Sequence, residues 1–455
     1  MSTVEFTVLG GGTEIGANSY FVSGADTGII LDCGLHPKKE GRDALPDLSI
    51  LTRPPDVALV SHGHVDHCGA VPYLLRQFPG LFVYTTRPTV SIMDRMLHNS
   101  VSVMEMLERN QGVRGYPLYG HDDVGFALRR TDGLEMDYEF ALTYQSPVRA
   151  EFRSAGHVLG SACILLQFPG HTVFYTGDIC LTHQELMRGH DLLEEAIQVD
   201  TLICESTRGA QESDDEPSYE DEIERFAAAM TQVLESGGVV LVPAFALGRN
   251  QEILNIIARL KRSRMIPRVP VYSSGLGRAI YEIYSDNLDY LGPQANLRPL
   301  DEFERVGNVW EPDAVDELLE EPCIIVATSG MMVENTPSAM IAKEMVRSTR
   351  HGIFFVGYLD PDTLGYRLLH ANTGDKMPFE TPGRSVNIRL ANRQRFHFSA
   401  HASRKDLRRL IEHLNPKNIV FVHGDAPAVE WMAANANGRA RKFSPMLGQT
   451  IALEA

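Results

Sequence analysis

Four potential metal ligands fall within six positions of this chain, in Ser61-His62-Gly63-His64-Val65-Asp66-His67, directly after the apolar run Val57–Val60. With 16 histidines in 455 residues, composition alone gives the pattern H-x-H-x-D-H on the order of once in a thousand such chains. His62 and His64 are two apart, so in extended backbone they point to the same side and can grip one ion. The turn through Asp66 and His67 offers an oxygen and a nitrogen to a second ion. A fold that uses this cluster must bring further donors to the end of that strand.

Two later positions have the same character. His157 lies among small residues in Ser154-Ala155-Gly156-His157-Val158-Leu159-Gly160, and Asp178 follows the apolar run Val173–Tyr175 through Thr176-Gly177. Alone, each reads sooner as structural than as a ligand, His157 as a satisfied histidine and Asp178 as a turn-capping aspartate. Beside the cluster, both read as ligands, Asp178 as a carboxylate able to bridge two cations.

At about 150 residues per domain the chain has room for two or three packed units. Its first two hundred residues alternate short β-rich runs (Gly28–Asp32, Val57–Val60, Thr172–Tyr175) with turn signals. One long helical pattern, Val90 to Glu108, places Met93, Met96, Leu97, Val101, Met104 and Leu107 on one stripe, which reads as core. An acidic, turn-rich stretch from Arg208 to Tyr219 marks a boundary. Beyond it helix and strand alternate: helix Tyr219–Glu235, strand Val239–Val242, helix Arg249–Arg262, then strands Val269–Tyr272, Cys323–Val326 and Gly352–Val356. That order predicts a mostly parallel sheet flanked by helices. A Pro/Gly-rich stretch, Met377 to Gly383, precedes a final strand–helix–strand–helix segment from near Ser385.

The order Asp32, the His/Asp cluster, Gly156-His157 and Gly177-Asp178 resembles the metallo-β-lactamase fold. Cys204-Glu205-Ser206-Thr207, Phe398-Ser399-Ala400-His401-Ala402 and Val422-His423-Gly424-Asp425 are similar to the later motifs of its β-CASP branch, which cleaves nucleic acids and includes RNase J and the endonuclease of pre-mRNA 3′-end processing. Thr328-Ser329-Gly330-Met331 is similar to a segment inside the β-CASP domain. The resemblance implies an α/β architecture: a metallo-β-lactamase αββα sandwich (1–206 and 385–455) with an inserted β-CASP α/β domain (207–384).

It also implies roles. One divalent ion would be held by His62, His64, His157 and Asp178, the other by Asp66, His67, His423 and the shared Asp178. Zinc suits this imidazole-rich set best, with manganese the alternative. Two such ions about 4 Å apart would share a water and lower its pKa for attack on phosphorus. His401 would be the general acid, Glu205 its orienting carboxylate, and Asp32 a support for a ligand histidine. Ser329 and Gly330 would contact a substrate phosphate. Histidine at position 423 favours RNA over DNA, so the expected partner is single-stranded RNA, with a homodimer allowed. The chain departs from the family in two places, reading Val333-Glu334-Asn335-Thr336 after the Ser-Gly-Met segment and Leu359-Asp360-Pro361-Asp362 after Gly357-Tyr358. Both add acid.

Forty-two Lys and Arg against 59 Asp and Glu give a net charge of -17, which excludes a charge-driven nucleic-acid coat and makes any such contact local. Arg389, Arg393, Arg395, Arg404, Lys405, Arg408 and Arg409 flank the His401 motif and are candidates for it, whereas Arg259, Lys261, Arg262, Arg264 and Arg268 read as a solvated helix face. The six scattered cysteines form no C-x-x-C pair and read as buried strand residues. No apolar run is long enough to span a bilayer, and the first residues have no leader pattern, so the expected location is the cytoplasm. Two other classes compete: a small-molecule ester, thioester or phosphodiester hydrolase, which suits the acidity but not His401, and a catalytically silent scaffold, which predicts eroded ligands.

Overall fold

The computed structural model describes residues 3–191, 197–212, 217–379, 383 and 385–454. Residues 213–216 of the expected boundary loop, residues 380–382 of the Pro/Gly-rich stretch and Arg384 lie outside them. The chain forms two compact units, one of residues 1–183, 189–215 and 401–455, the other of residues 184–188 and 216–400.

The chain enters the first unit with β1 (Val4–Gly10), β2 (Ser19–Gly24), β3 (Thr27–Leu31), β4 (Val57–Leu59), β5 (Phe82–Thr86), β6 (Thr131–Leu134), β7 (Glu139–Ala141), β8 (Arg149–Ser154), β9 (Ala162–Phe168), β10 (His171–Tyr175) and β11 (Thr201–Glu205). The second unit supplies β12 (Val240–Pro243), β13 (Val271–Ser273), β14 (Glu304–Arg305), β15 (Ile324–Ala327), β16 (Gly352–Phe355), β17 (Lys376–Pro378), β18 (Ser385–Asn387) and β19 (Asn392–Arg395). The return to the first unit adds β20 (Asn418–Val422), β21 (Arg441–Phe443) and β22 (Thr450–Leu453).

Two seven-stranded sheets build the first unit, in the orders β22-β1-β2-β3-β4-β5-β6 and β21-β20-β11-β10-β9-β8-β7. Phe6, Tyr20, Ile29 and Leu59 of one sheet pack against Phe152, Ile164, Tyr175, Ile203 and Val420 of the other. The outer face of the first sheet is covered by helices Val71–Gln77 and Arg87–Gln111, that of the second by Arg404–Leu414 and Ala426–Asn435. This is an αββα sandwich. Its central strands are apolar on both sides because both faces are covered, which explains the continuous runs Gly28–Leu31 and Ile419–Val422. Met93, Met96, Leu97, Val101 and Met104 are buried as the stripe predicts, and the helix runs to Gly112, whose left-handed backbone closes it. All six cysteines are buried thiols.

The second unit holds a sheet in the order β14-β13-β15-β12-β16-β19, every pairing of it parallel. Helices Tyr219–Glu235 and Arg249–Ser263 cover one face, Pro337–Met345 the other. Strand β19 is a member of this sheet although it lies beyond residue 385. Its residues Asn392, Arg393, Gln394 and Arg395 carry no apolar signal because β19 is an edge strand, half-buried at every position.

Candidate metal centre

Strands β10, β11 and β20 pair in parallel, Tyr175 opposite Ile203 and Glu205 opposite Val422. Their ends therefore deliver Asp178, Glu205 and His423 side by side. In the other sheet β3 and β4 pair in parallel and deliver Asp32 and His62. His64 caps the short helix Val65–Cys68, whose first turn carries Asp66 and His67. Gly34 lets that helix approach: a Cβ there would lie 1.7 Å from the Asp66 carbonyl oxygen. Gly177 holds a positive φ of 51° just before Asp178.

The donors converge. His62 Nε2 lies 2.9 Å from His64 Nδ1, and His157 Nε2 lies 3.2 Å from the same His64 atom. Asp178 Oδ2 lies 3.5 Å from His62 Nε2 and 3.6 Å from His157 Nε2. Its other oxygen, Oδ1, is 3.3 Å from His67 Nε2 and 3.2 Å from His423 Nδ1. Asp66 Oδ2 lies 3.7 Å from His67 Nε2 and 3.4 Å from His423 Nε2. Donors placed tetrahedrally 2.0–2.1 Å from a zinc ion stand about 3.3 Å from one another, the spacing seen here. Three overlapping groups result: His62, His64, His157 and Asp178; Asp66, His67 and His423; and Asp178, Glu205 and His423.

Electrostatics fit cations. Burial presses His62 and His64 below the ordinary imidazole range, so they are neutral and keep a lone pair for a metal. Burial opposes charge on His67 as well, yet Asp178, Asp66 and Asp32 drive it well above that range, so this corner favours positive charge. Burial works against charge on Asp178 too, but His423, His67 and His401 hold it well below the usual carboxylate range. Asp178 Oδ1 is buried without a hydrogen-bond partner, an orphan that a cation would satisfy.

Asp32, fully buried at a φ of 57°, accepts from Ser61 N (2.6 Å), Ser61 Oγ (2.8 Å) and Tyr175 Oη (2.6 Å), and its Oδ2 lies 2.8 Å from His67 Nδ1. Since a carboxylate only accepts, His67 carries its proton on Nδ1 and turns Nε2 toward the centre. Glu205, also fully buried, accepts from Ile179 N at 2.7 Å and sits 3.0 and 3.2 Å from His401 Nδ1. His401 Nε2 is then 4.0 Å from Asp178 Oδ2, and its ring stands 4.6 Å from that of His157. Burial opposes its protonation, but Glu205 and Asp178 raise His401 above the ordinary imidazole value.

Among the neighbours of these donors, Asn18 carries no signal in the sequence, whereas Thr207 and Arg208 close the Glu205 motif. Asn18 Nδ2 lies 3.1 Å from His67 Nε2, Thr207 Oγ1 lies 2.9 Å from His423 Nδ1, and Arg208 donates to the His401 carbonyl at 3.4 Å. Ser329 and Gly330 belong to the second unit, where Ser329 Oγ accepts from Val333 N at 2.9 Å. Asp360, one of the acids by which the chain departs from the family, is buried and builds a turn: it accepts from Asp362 N and Tyr358 Oη while its carbonyl accepts from Thr363 Oγ1. Arg259 is bound by Glu185 at 3.0 Å and Glu220 at 3.3 Å.

Known proteins share the domains of this chain. Residues 12–217 match the metallo-beta-lactamase superfamily, 250–368 the Beta-Casp domain, and 385–444 the Zn-dependent metallo-hydrolase RNA specificity domain. The chain is 28% identical over 419 residues to an RNase J-like protein of Methanocaldococcus jannaschii, covering 91% of each, and 30% identical over 447 residues to transcription termination factor FttA of the same organism, covering 93% of this chain and 67% of that protein. A crystal structure of an Enterococcus faecalis V583 protein of unknown function shares the fold, with a TM-score of 0.59 at 15% identity over 99% of this chain and 100% of that one. The chain belongs to the β-CASP nuclease family of metal-dependent hydrolases built on the metallo-β-lactamase fold.

Proposed function

We propose that this chain hydrolyses phosphodiester bonds of single-stranded RNA at a centre for two divalent cations, zinc being the metal its donors suit best. His62, His64, His157 and Asp178 would hold one cation, and Asp66, His67 and His423 the other, with Asp178 between them. Bound there, the cations supply Lewis-acid charge and lower the pKa of a coordinated water toward neutrality. Asp32 keeps His67 in the tautomer that can ligate.

The observation that carries the reading is His401. It stands beside the first donor group without belonging to it, its Nδ1 held by Glu205 and its Nε2 directed toward Asp178. As the water oxygen bonds to phosphorus and the P–O bond to the departing ribose breaks, Nε2 of the imidazolium gives its proton to that oxygen. Glu205 fixes the ring and balances its charge. The ring is about one-quarter exposed, enough for solvent to reprotonate it.

The test is a leaving-group comparison. His401→Ala should retain the metal content of the parent and lose roughly 100- to 10,000-fold in kcat on RNA labelled at either end. On bis(p-nitrophenyl) phosphate, whose leaving group needs no proton, the loss should be small. Equal losses on both substrates would remove His401 as the acid. A parent protein that leaves RNA intact while turning over a simple ester or thioester would replace RNA with a small-molecule substrate.

A further inference from the structure

The chain is acidic, but its charge is unevenly spread: residues 401–444 hold eight Lys and Arg against four Asp and Glu, in a chain of net charge -17. Half of those cations fall within six positions of one helix, Arg404–Leu414. Leu407, Leu410, Ile411 and Leu414 bury one side of it, so Lys405, Arg408 and Arg409 turn away from the core while Arg404 lies on the flank beside Ile411. Lys405 and Arg409 are exposed.

Among the described residues, local acid leaves most of this charge unneutralised. Asp406 is tied into the helix start, accepting from Ser403 Oγ at 2.8 Å, and meets Arg409 only at 3.6 Å. Arg408 donates to a neutral partner, Asn437 Oδ1, at 3.3 Å. Arg404 lies 4.2 Å over the Trp431 ring, which fixes its guanidinium without neutralising it. Glu412, bound by Asn437, is the remaining acid of the helix.

The helix also begins at the centre. Its cap, Ser403, is two residues past His401, and the intervening Ala402 donates its N–H to the Ile179 carbonyl, beside Asp178. Arg208, which donates to the His401 carbonyl, adds a cation at the same end.

We propose that the outer face of Arg404–Leu414 is a cationic rail that binds the phosphates of single-stranded RNA leading from the centre, with Lys405, Arg408 and Arg409 as its phosphate contacts. This rests on the RNA reading above. The rail places affinity where the rest of the surface repels a polyanion, and it reads backbone rather than sequence.

The test is the triple variant Lys405→Gln/Arg408→Gln/Arg409→Gln, since glutamine keeps the helix propensity of these positions. Its KM for a single-stranded RNA should rise roughly tenfold or more, and its log KM against log[NaCl] should be shallower by about 2, three phosphate contacts at about 0.7 each. The charge-keeping variant Lys405→Arg/Arg408→Lys/Arg409→Lys should behave as the parent. Turnover of bis(p-nitrophenyl) phosphate, which carries a single phosphate, reports the centre separately. A parent that cleaves RNA alongside a triple variant of unchanged KM and salt slope would overturn the rail and leave the RNA reading standing. A parent that hydrolyses the diester but neither binds nor cleaves RNA would overturn both.

Discussion

Asp32→Asn isolates what a buried carboxylate does for a ligand it touches only through hydrogen bonds. Three of its four partners donate by hydroxyl or amide: Ser61 N, Ser61 Oγ and Tyr175 Oη, at 2.6 to 2.8 Å. The fourth is His67 Nδ1, 2.8 Å from Oδ2. If the amide nitrogen of asparagine takes the place of Oδ2, the two hydroxyls can rotate and accept from it. The imidazole can accept only by moving its proton to Nε2, the atom that faces Asp66 and Asp178. His67 then presents N–H where a ligand lone pair is required.

Losing such a support costs about 10- to 100-fold in metal affinity, or roughly 1.4–2.8 kcal/mol. Replacing charge-assisted bonds by neutral ones should also lower folding stability by about 3 kcal/mol. Chelator competition for zinc measures the first and urea unfolding the second. Tyr175→Phe separates them, because it removes one donor to Asp32 while leaving the His67 tautomer alone; it should lose about 1–2 kcal/mol of stability and no zinc affinity. Zinc affinity of Asp32→Asn equal to that of the parent, or an equal loss in Tyr175→Phe, would refute the tautomer argument.

Asp178→Ala removes a carboxylate that lies 3.2–3.6 Å from His62, His67, His157 and His423, and metal analysis after dialysis should find most bound ion gone together with RNA cleavage. Gly34→Ala drives a methyl to 1.7 Å from the Asp66 carbonyl and should cost about 3 kcal/mol in unfolding experiments, with loss of the second donor group. Glu252 is fully buried in the second unit, accepting from Leu186 N and Met187 N, and burial holds its carboxyl up at about 7. The folded state therefore keeps a proton that the unfolded chain releases near 4.5, and the associated stability is complete below that pH and lost as pH rises through 7. Against Glu252→Gln, the parent should lose up to about 3 kcal/mol more between pH 4.5 and 7.5, measured by urea unfolding; parallel curves for the two would contradict the raised carboxyl.

How much of this was legible follows from the range of each signal. The pair His62 and His64, with Asp66 and His67 in the next turn, is a short-range pattern, and apolar runs such as Ile419–Val422 announce strands that end on site residues. Asn18 and Tyr175 are side chains whose roles arise only from contacts made far along the sequence, so nothing local marks those roles, and Thr207 is marked only by standing at the end of the Glu205 motif. Strand β19 was hidden for the opposite reason: an edge strand of Asn, Arg and Gln has no buried face to impose alternation. Asp360 shows that composition misleads when a carboxylate serves its own turn.

Parallel pairing explains how a chain interrupted by a whole unit still assembles one centre. Residues 216–400 belong to the second unit, yet β11 and β20, which flank that stretch in sequence, lie in consecutive register from Thr201 opposite Asn418 to Glu205 opposite Val422. Because side chains alternate with a period of two, that register decides on which side of the sheet each end residue emerges, and a slip of one position would send His423 away from Asp178. The chain then turns sharply, with Asp32 and His423 both in left-handed backbone, at 57° and 50°. Non-glycine residues held there cost about 1–3 kcal/mol each and persist only where their surroundings over-determine them. The carboxylate network around Asp32 and the pairing of β20 with β11 do so here, and what they sustain against that strain is the convergence of donors on Asp178.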